Sequence, residues 1–183
     1  MPSLAGKLLV ATPSLSDPNF ARSVVLMLQH GEQGAIGLVL NRPSGTHLSE
    51  IWHQISEDPC SIDLPLMTGG PVEGPLVILH ADDDLSERQV MQGVYFAAHK
   101  DLITQLLAKG VPPMRVFAGY SGWGGGQLEN EIEEGSWSTT EATRDVIFGD
   151  ADVLWDRANK QIADDILIRS LGIKHVPDQP WLN

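Results

Sequence analysis

Short apolar runs alternate with glycine- and proline-bearing breaks along the whole chain. Lys7–Ala11 is a compact apolar stretch and predicts a buried strand, while Thr12–Phe20, with its prolines and small polar residues, predicts a loop. Val24–His30 and Ala35–Asn41 are two further apolar runs separated by Gly31-Glu-Gln-Gly34, the pattern of a β-hairpin with a four-residue loop. Arg42-Pro43 is expected to end the second strand. Leu48, Ile51, Trp52 and Ile55 recur at helical spacing and predict an amphipathic helix. Gly69-Gly70-Pro71 predicts a sharp turn into a strand over Leu76–His80, followed by an acidic loop over Ala81–Glu87 and a further strand over Gln92–Ala97. Leu102, Ile103, Leu106 and Leu107 fit a helix closed by Lys109 and Gly110. Arg115–Tyr120 reads as a strand feeding a glycine-rich loop over Gly119–Gly126, then a short helix over Gln127–Glu134 and a short strand over Ser136–Thr140. Ser138 and Glu141 have capping-box spacing before Ala142–Phe148. Asp150 is placed to cap a last helix with Leu154, Ala158, Ile162 and Ile166 on one side. No repeat or linker divides the chain, so residues 1–183 are expected to form one domain, with a loosely held tail from about 174.

Charge narrows the function more than the apolar pattern does. The 183 residues carry 24 acids against 12 bases, a formal charge of −12. That balance opposes binding to a phosphate backbone, and the seven Arg and five Lys are scattered singly. Nine acids and one base, Arg144, lie between Glu129 and Asp156, which reads as a solvated surface. Cys60 is the one cysteine, which fits a reducing compartment. The first residues lack signal-peptide character and no apolar run has membrane-spanning length, so a cytoplasmic location without a membrane partner is expected.

Chemical signatures are sparse. Gly119-Tyr-Ser-Gly-Trp123 begins like a nucleophile elbow but has Trp123 where glycine is required, so Ser121 is a poor nucleophile. The same segment has no Gly-Lys-Ser/Thr and lacks the third glycine of a dinucleotide fingerprint. The histidines show no paired-ligand spacing, and His80-Ala-Asp82-Asp83-Asp84 lacks the calcium-loop pattern. No metal, cofactor or catalytic residue is therefore assigned. Several polar residues do fall where strands end, a common place for binding sites in α/β folds. Arg22 and Arg42 would favour an anionic group, and Tyr120 and Trp123 would give flat walls. With His30, Asn41, His80 and Gln127 they form a candidate set for a small anionic ligand or a protein partner. The competing reading is that each residue only ends a strand and satisfies turn hydrogen bonds. An enzyme of unknown class, such as a hydrolase using His30 or His80 as base, is the alternative function. A direct DNA-binding regulator is disfavoured by charge.

These segments carry a resemblance. Gly6-Lys-Leu-Leu-Val-Ala-Thr-Pro-Ser-Leu-Ser-Asp17-Pro-Asn-Phe20, Arg22-Ser-Val-Val-Leu-Met-Leu-Gln-His30 and Gly34-Ala-Ile-Gly-Leu-Val-Leu-Asn-Arg-Pro43 resemble the opening motifs of the AlgH/YqgE family of bacterial proteins. Gly69-Gly-Pro-Val72, Leu79-His80, Gly119-Tyr-Ser-Gly-Trp-Gly124, Gln127-Leu-Glu129 and Gly135-Ser-Trp137 follow in order. Ser121 stands where the family pattern has Ala, which weakens it further as a nucleophile. The resemblance implies a compact α/β (α+β) domain with a bent or bifurcated, partly barrel-like sheet surrounded by helices. It implies no assigned reaction, and its link to function is a family label of transcriptional regulation.

Overall fold

The structure is a computed structural model that describes residues 2–54, 56–57, 62–110 and 113–170. The strands are β1 (Lys7–Ala11), β2 (Val24–Gly31), β3 (Gly34–Val39), β4 (Pro43–His47), β5 (Pro65–Thr68), β6 (Val72–His80), β7 (Arg88–Met91), β8 (Val94–Ala97), β9 (Met114–Gly124) and β10 (Trp137–Glu141). The helices are α1 (Leu48–Trp52), α2 (Lys100–Lys109), α3 (Gln127–Glu133), α4 (Arg144–Ile147) and α5 (Leu154–Ser170).

One curled sheet runs in the order β10-β1-β2-β3-β9-β6-β8-β7. It forks at β9. One edge of that strand pairs antiparallel with β6, from Met114 opposite His80 to Tyr120 opposite Val72. The other edge pairs in succession with β5, parallel over Val116–Ala118, and with β3, antiparallel over Ser121–Gly124. The Val39 amide donates to the Gly69 carbonyl at 2.8 Å and ties the two prongs together. β4 extends the β5 prong.

Period-two alternation decides which residues fill the curl. Leu8 and Val10, Val24, Leu26 and Leu28, Leu38 and Leu40, Val77 and Leu79, and Phe117 face inward and form one buried cluster. Their neighbours Leu9, Ala11, Val25, Met27 and Val39 face outward under α3, with Trp123, Leu128 and Trp137. On the second half, Ile78, Ala97 and Val116 face outward beneath α1 and α2, against Trp52, Ile103, Leu106 and Leu107. Both faces of the sheet are thus covered, which is why the strands read as unbroken apolar runs. Ile147, Leu154 and Ala158 from α4 and α5 plug the interior near the start of β2. Trp155 secures α5 there by donating its Nε1–H to the Ala11 carbonyl at 2.7 Å.

Several elements differ from the sequence expectation. Pro43 begins β4 instead of ending the hairpin, because β5 supplies a partner edge that no local signal announces. The glycine-rich stretch stays extended to Gly124, so β9 is a single long strand. Ser138 and Glu141 sit inside β10, paired with β1, and form no capping box. The cap of α4 is Thr143, whose hydroxyl accepts from the Val146 amide at 3.3 Å. Asp150 accepts from the Asp152 amide, one turn before α5 begins at Leu154. Gln92 and Gly93 form the turn between β7 and β8. Ile55 and the tail from 174 lie outside the described residues.

Candidate functional site

The structure gathers the sequence-predicted polar residues into separate places. Asn41 bridges the ends of β2 and the hairpin, accepting from the Val24 amide and donating to the Arg22 carbonyl, both at 2.9 Å. Arg42 donates to the carbonyls of Pro18, Asn19 and Ala21 at 3.2, 2.6 and 3.2 Å, and so holds the loop before β2. Arg22 adopts the left-handed backbone region with φ 56°. Its guanidinium lies 4.2 Å over the Trp155 ring and 3.2 Å from the Asp156 carboxylate. These three residues therefore form one cluster, beside α5, with their polar groups engaged.

A second cluster lies on the outer face under α3, and it meets the first through Phe20, whose loop Arg42 holds. Trp123 is buried, stacked on Phe20 and edge-on to Trp137. Glu131 of α3 joins them. Its Oε2 accepts the indole N–H of Trp123 at 3.0 Å and of Trp137 at 2.9 Å, while its Oε1 accepts from Gln127 at 2.9 Å. Gln127 also accepts from the Gly124 amide at 3.0 Å. His30 lies close by. Its Nδ1 accepts from the Leu4 amide at 3.2 Å and its Nε2 is 3.1 Å from the Glu129 carboxylate. Glu131 reads in the sequence as one acid among many, and only the spacing of Trp123 and Trp137 on either side of it hinted at the contact.

His80 stands alone at the end of β6. It is fully buried on the outer face, stacked on Tyr95 with ring centroids 6.1 Å apart. Its Nδ1 accepts from the Asp82 amide at 3.3 Å, and its Nε2 has no hydrogen-bond partner among the described residues. Burial pushes its pKa below the ordinary histidine value, and the Asp82 carboxylate offsets part of that push. Asp82, Asp83 and Asp84 bring carboxylate oxygens within 4.8 Å of one another. Lys109 is bound to Asp82, and its hydrogen bond holds that carboxyl below the usual range. Ser121 is buried and donates to the Gly69 carbonyl at 3.1 Å, so its hydroxyl hydrogen is committed to the fold.

Tyr120, of the candidate set, lines a substantial cavity. A groove of about 400 Å³ opens on the concave face, bounded by Leu28, Ile36, Leu38, Pro75, Val77, Phe96 and Tyr120, with Gln29, Glu87 and Arg88 as its polar members. It lies at the β2–β3 turn end of the interior, away from the end that α5 plugs. Two breaks in pairing create it. β2 has one more residue than β3 between the pairs Met27–Gly37 and Gln29–Ile36, a bulge that re-aims Leu28. β6 has two more residues than β9 between Val72–Tyr120 and Leu76–Ala118, which lifts Pro75 off the ladder. Gly74 lets the Tyr120 ring lie flat at this break, since a Cβ there would come within 2.8 Å of Tyr120 Cδ1. The groove residues read as ordinary core in the sequence, so only the bulges, which three-dimensional pairing reveals, distinguish them.

The fold defines a class: mixed α/β domains with a curled half-barrel sheet flanked by helices. The chain belongs to the AlgH-like family, DUF179, whose profile matches residues 8–167. A UPF0301 protein of Chlorobium chlorochromatii is 41% identical over 98% of this chain and 95% of its own. One from Streptomyces avermitilis is 38% identical over 99% and 96%. The solution structure of the AlgH protein from Pseudomonas aeruginosa superposes with a TM-score of 0.73 at 29% identity, covering 97% of each chain. A crystal structure of a protein from Corynebacterium diphtheriae gives a TM-score of 0.73 at 26% identity over 88% of this chain.

Proposed function

We propose that this is a non-catalytic binding protein that acts in the cytoplasm and takes an apolar ligand into the concave groove, with ligand capture serving a regulatory role. The groove itself carries the reading: an apolar-walled cavity of about 400 Å³, within the roughly 300–1,000 Å³ typical of small-molecule sites. Its walls are held by a covered sheet, so the cavity is largely pre-formed and a ligand need order little. Among the described residues, no helix is long and apolar enough to cross a membrane.

Gly122 supplies the test. It pairs with Ile36 across β3 and β9, and a Cβ on it would make ordinary contacts of 3.5 Å with Tyr120 and 3.9 Å with Val72. Gly122→Leu should therefore place an apolar side chain beside Tyr120 and Ile36 at the edge of the groove and crowd its mouth. A neutral apolar fluorophore such as N-phenyl-1-naphthylamine is expected to brighten with the wild-type protein and not with the folded Gly122→Leu variant. Equal brightening of both would rule the groove out as the binding site. Histidine catalysis finds less support, because His30 and His80 face neither each other nor a free nucleophile among the described residues. Direct DNA binding is opposed by the charge of −12, and retardation of a duplex that weakens steeply with salt would restore it.

A further inference from the structure

We propose that the ligand is an apolar monocarboxylate, its chain seated between Leu28, Ile36, Val77 and Phe96 and its carboxylate held by Arg88. This rests on the groove being the binding site and names the chemistry that it selects. Arg88 stands directly across from Phe96 in the β7–β8 pair, on the concave face, with its guanidinium 5.6 Å over the Phe96 ring. Lys7, Arg22 and Lys109 each have a carboxylate partner; Arg88, like Arg144 and Arg157, has none among the described residues, and of these three it is the one that lines the groove. In a chain with twice as many acids as bases, an uncompensated arginine at an apolar mouth is the charge that a ligand can complete.

The neighbouring acid does not cancel it. Glu87 lines the same groove, but its Oε1 accepts from the backbone amides of Ala98, at 2.6 Å, and His99, at the entrance to α2. Its charge is directed at the N-terminus of α2, away from Arg88. The remaining lining offers hydrocarbon, the Tyr120 ring and one amide, Gln29. A sugar or nucleotide would leave many polar groups unpaired against such walls. A single planar guanidinium matches one carboxylate in a two-pronged pair. At roughly 30 Å³ for each water-sized group, the cavity of about 400 Å³ holds a chain of about ten carbons with its head group.

The experiment is a two-dimensional amide NMR titration of the full chain with decanoate and, separately, with decan-1-ol, both below their aggregation limits. Decanoate should shift groove amides, Leu28, Ile36 and Phe96 among them, and bind at least tenfold more tightly than decan-1-ol. Arg88→Gln should erase that tenfold preference and leave decan-1-ol affinity within twofold of wild type. Ile36→Glu, at an exposed rim position, should weaken decanoate more than decan-1-ol by adding a like charge at the mouth. Equal affinities in wild type, or a preference that survives Arg88→Gln, would overturn the carboxylate assignment while keeping the apolar groove. Shifts confined to residues outside the groove, or none with either compound, would overturn both.

Discussion

Replacing Glu131 with Ala should destabilise the protein far more than loss of a surface acid normally does. One carboxylate oxygen accepts the indole N–H groups of both Trp123 and Trp137, and these rings are 5% and 3% exposed. Alanine leaves two buried donors without partners, each costing about 1–3 kcal/mol. Water reaching the truncated site lowers the total, so about 3 kcal/mol is expected, or about 6–12 °C in Tm for a chain of this size. An opposing effect exists: Glu131 is one of nine acids between Glu129 and Asp156, and removing it relieves repulsion. Between exposed charges that relief is worth only a few tenths of a kcal/mol at physiological salt. Glu131→Gln separates the two effects. It removes the same charge but keeps an oxygen for the indoles, while its amide confronts the Gln127 donor, so about half the loss is expected. The assay is urea unfolding followed by far-ultraviolet circular dichroism, since fluorescence would report the two tryptophans directly. Trp123→Phe should cost less in the Glu131→Ala background than in wild type, by about 1 kcal/mol, because the orphaned donor leaves with the indole. A Glu131→Ala loss below about 1 kcal/mol, or a Gln variant as damaged as Ala, would refute the assignment of Glu131 as a shared acceptor.

Two further outcomes follow from other parts of the fold. Gly34 has φ 129°, and a Cβ there would lie 2.2 Å from the Trp123 carbonyl oxygen, so Gly34→Ala should prevent β3 from docking on β9. Gly45, with φ 79° and nothing within 4 Å, is the control: Gly45→Ala should cost about 1–2 kcal/mol and leave a folded protein, judged by amide NMR dispersion. Buried His80 has its pKa pushed below 6.5, so the unfolded chain takes up this proton first as pH falls. The stability carried by neutral His80 is therefore complete above the ordinary histidine range. It declines as pH drops through 6.5 and levels off once the folded histidine also protonates. His80→Phe should flatten that decline in urea unfolding followed against pH, and an unchanged slope would count against it. The carboxyl groups of Asp63, lowered by the hydroxyl that Ser49 donates to it at 2.7 Å, and of Asp82, lowered by Lys109, act in a lower window: their contribution is present above 3.8 and is lost as pH falls below it.

The strands that the sequence announces are those whose two faces are both buried. β1, β2, β3 and the second half of β6 carry apolar residues at nearly every position because interior and outer clusters each claim alternate ones. β4, with the sequence Pro-Ser-Gly-Thr-His, carries no apolar signal, and most of it is exposed. It is a strand only because β5 offers an edge. β7, Arg-Gln-Val-Met, is too short and mixed to announce itself, and its place follows from the turn to β8. The glycines of β9 suggest a loop when read locally, yet Gly119, with φ 71°, lies where the Val72 carbonyl oxygen would come within 2.7 Å of a Cβ. The candidate site divides along the same line. Arg22, Asn41 and Arg42 were recognisable as polar residues at strand ends, but nothing local says that their hydrogen bonds are spent on the chain itself. Leu28, Ile36, Val77 and Phe96 look like core; Leu28 and Val77 are buried in it, Phe96 packs against it and Ile36 is exposed at the rim, and the misalignment of the strands that carry them opens the groove between them.

The fork at β9 also sets an order of events during synthesis. β3, β5 and β6 each need this strand as a neighbour, and β1 needs β10 beyond it. A nascent chain that ends before Met114 can therefore form hairpins and helices but cannot join the two halves of its sheet. Until the ribosome releases the segment through Gly124 and on to Glu141, apolar strands with open edges must wait, exposed to mispairing with other chains. The protein thus commits to its native pairing late, when more than half of it has already been made. Truncations upstream of β9 should consequently aggregate or occupy chaperones instead of accumulating as folded fragments.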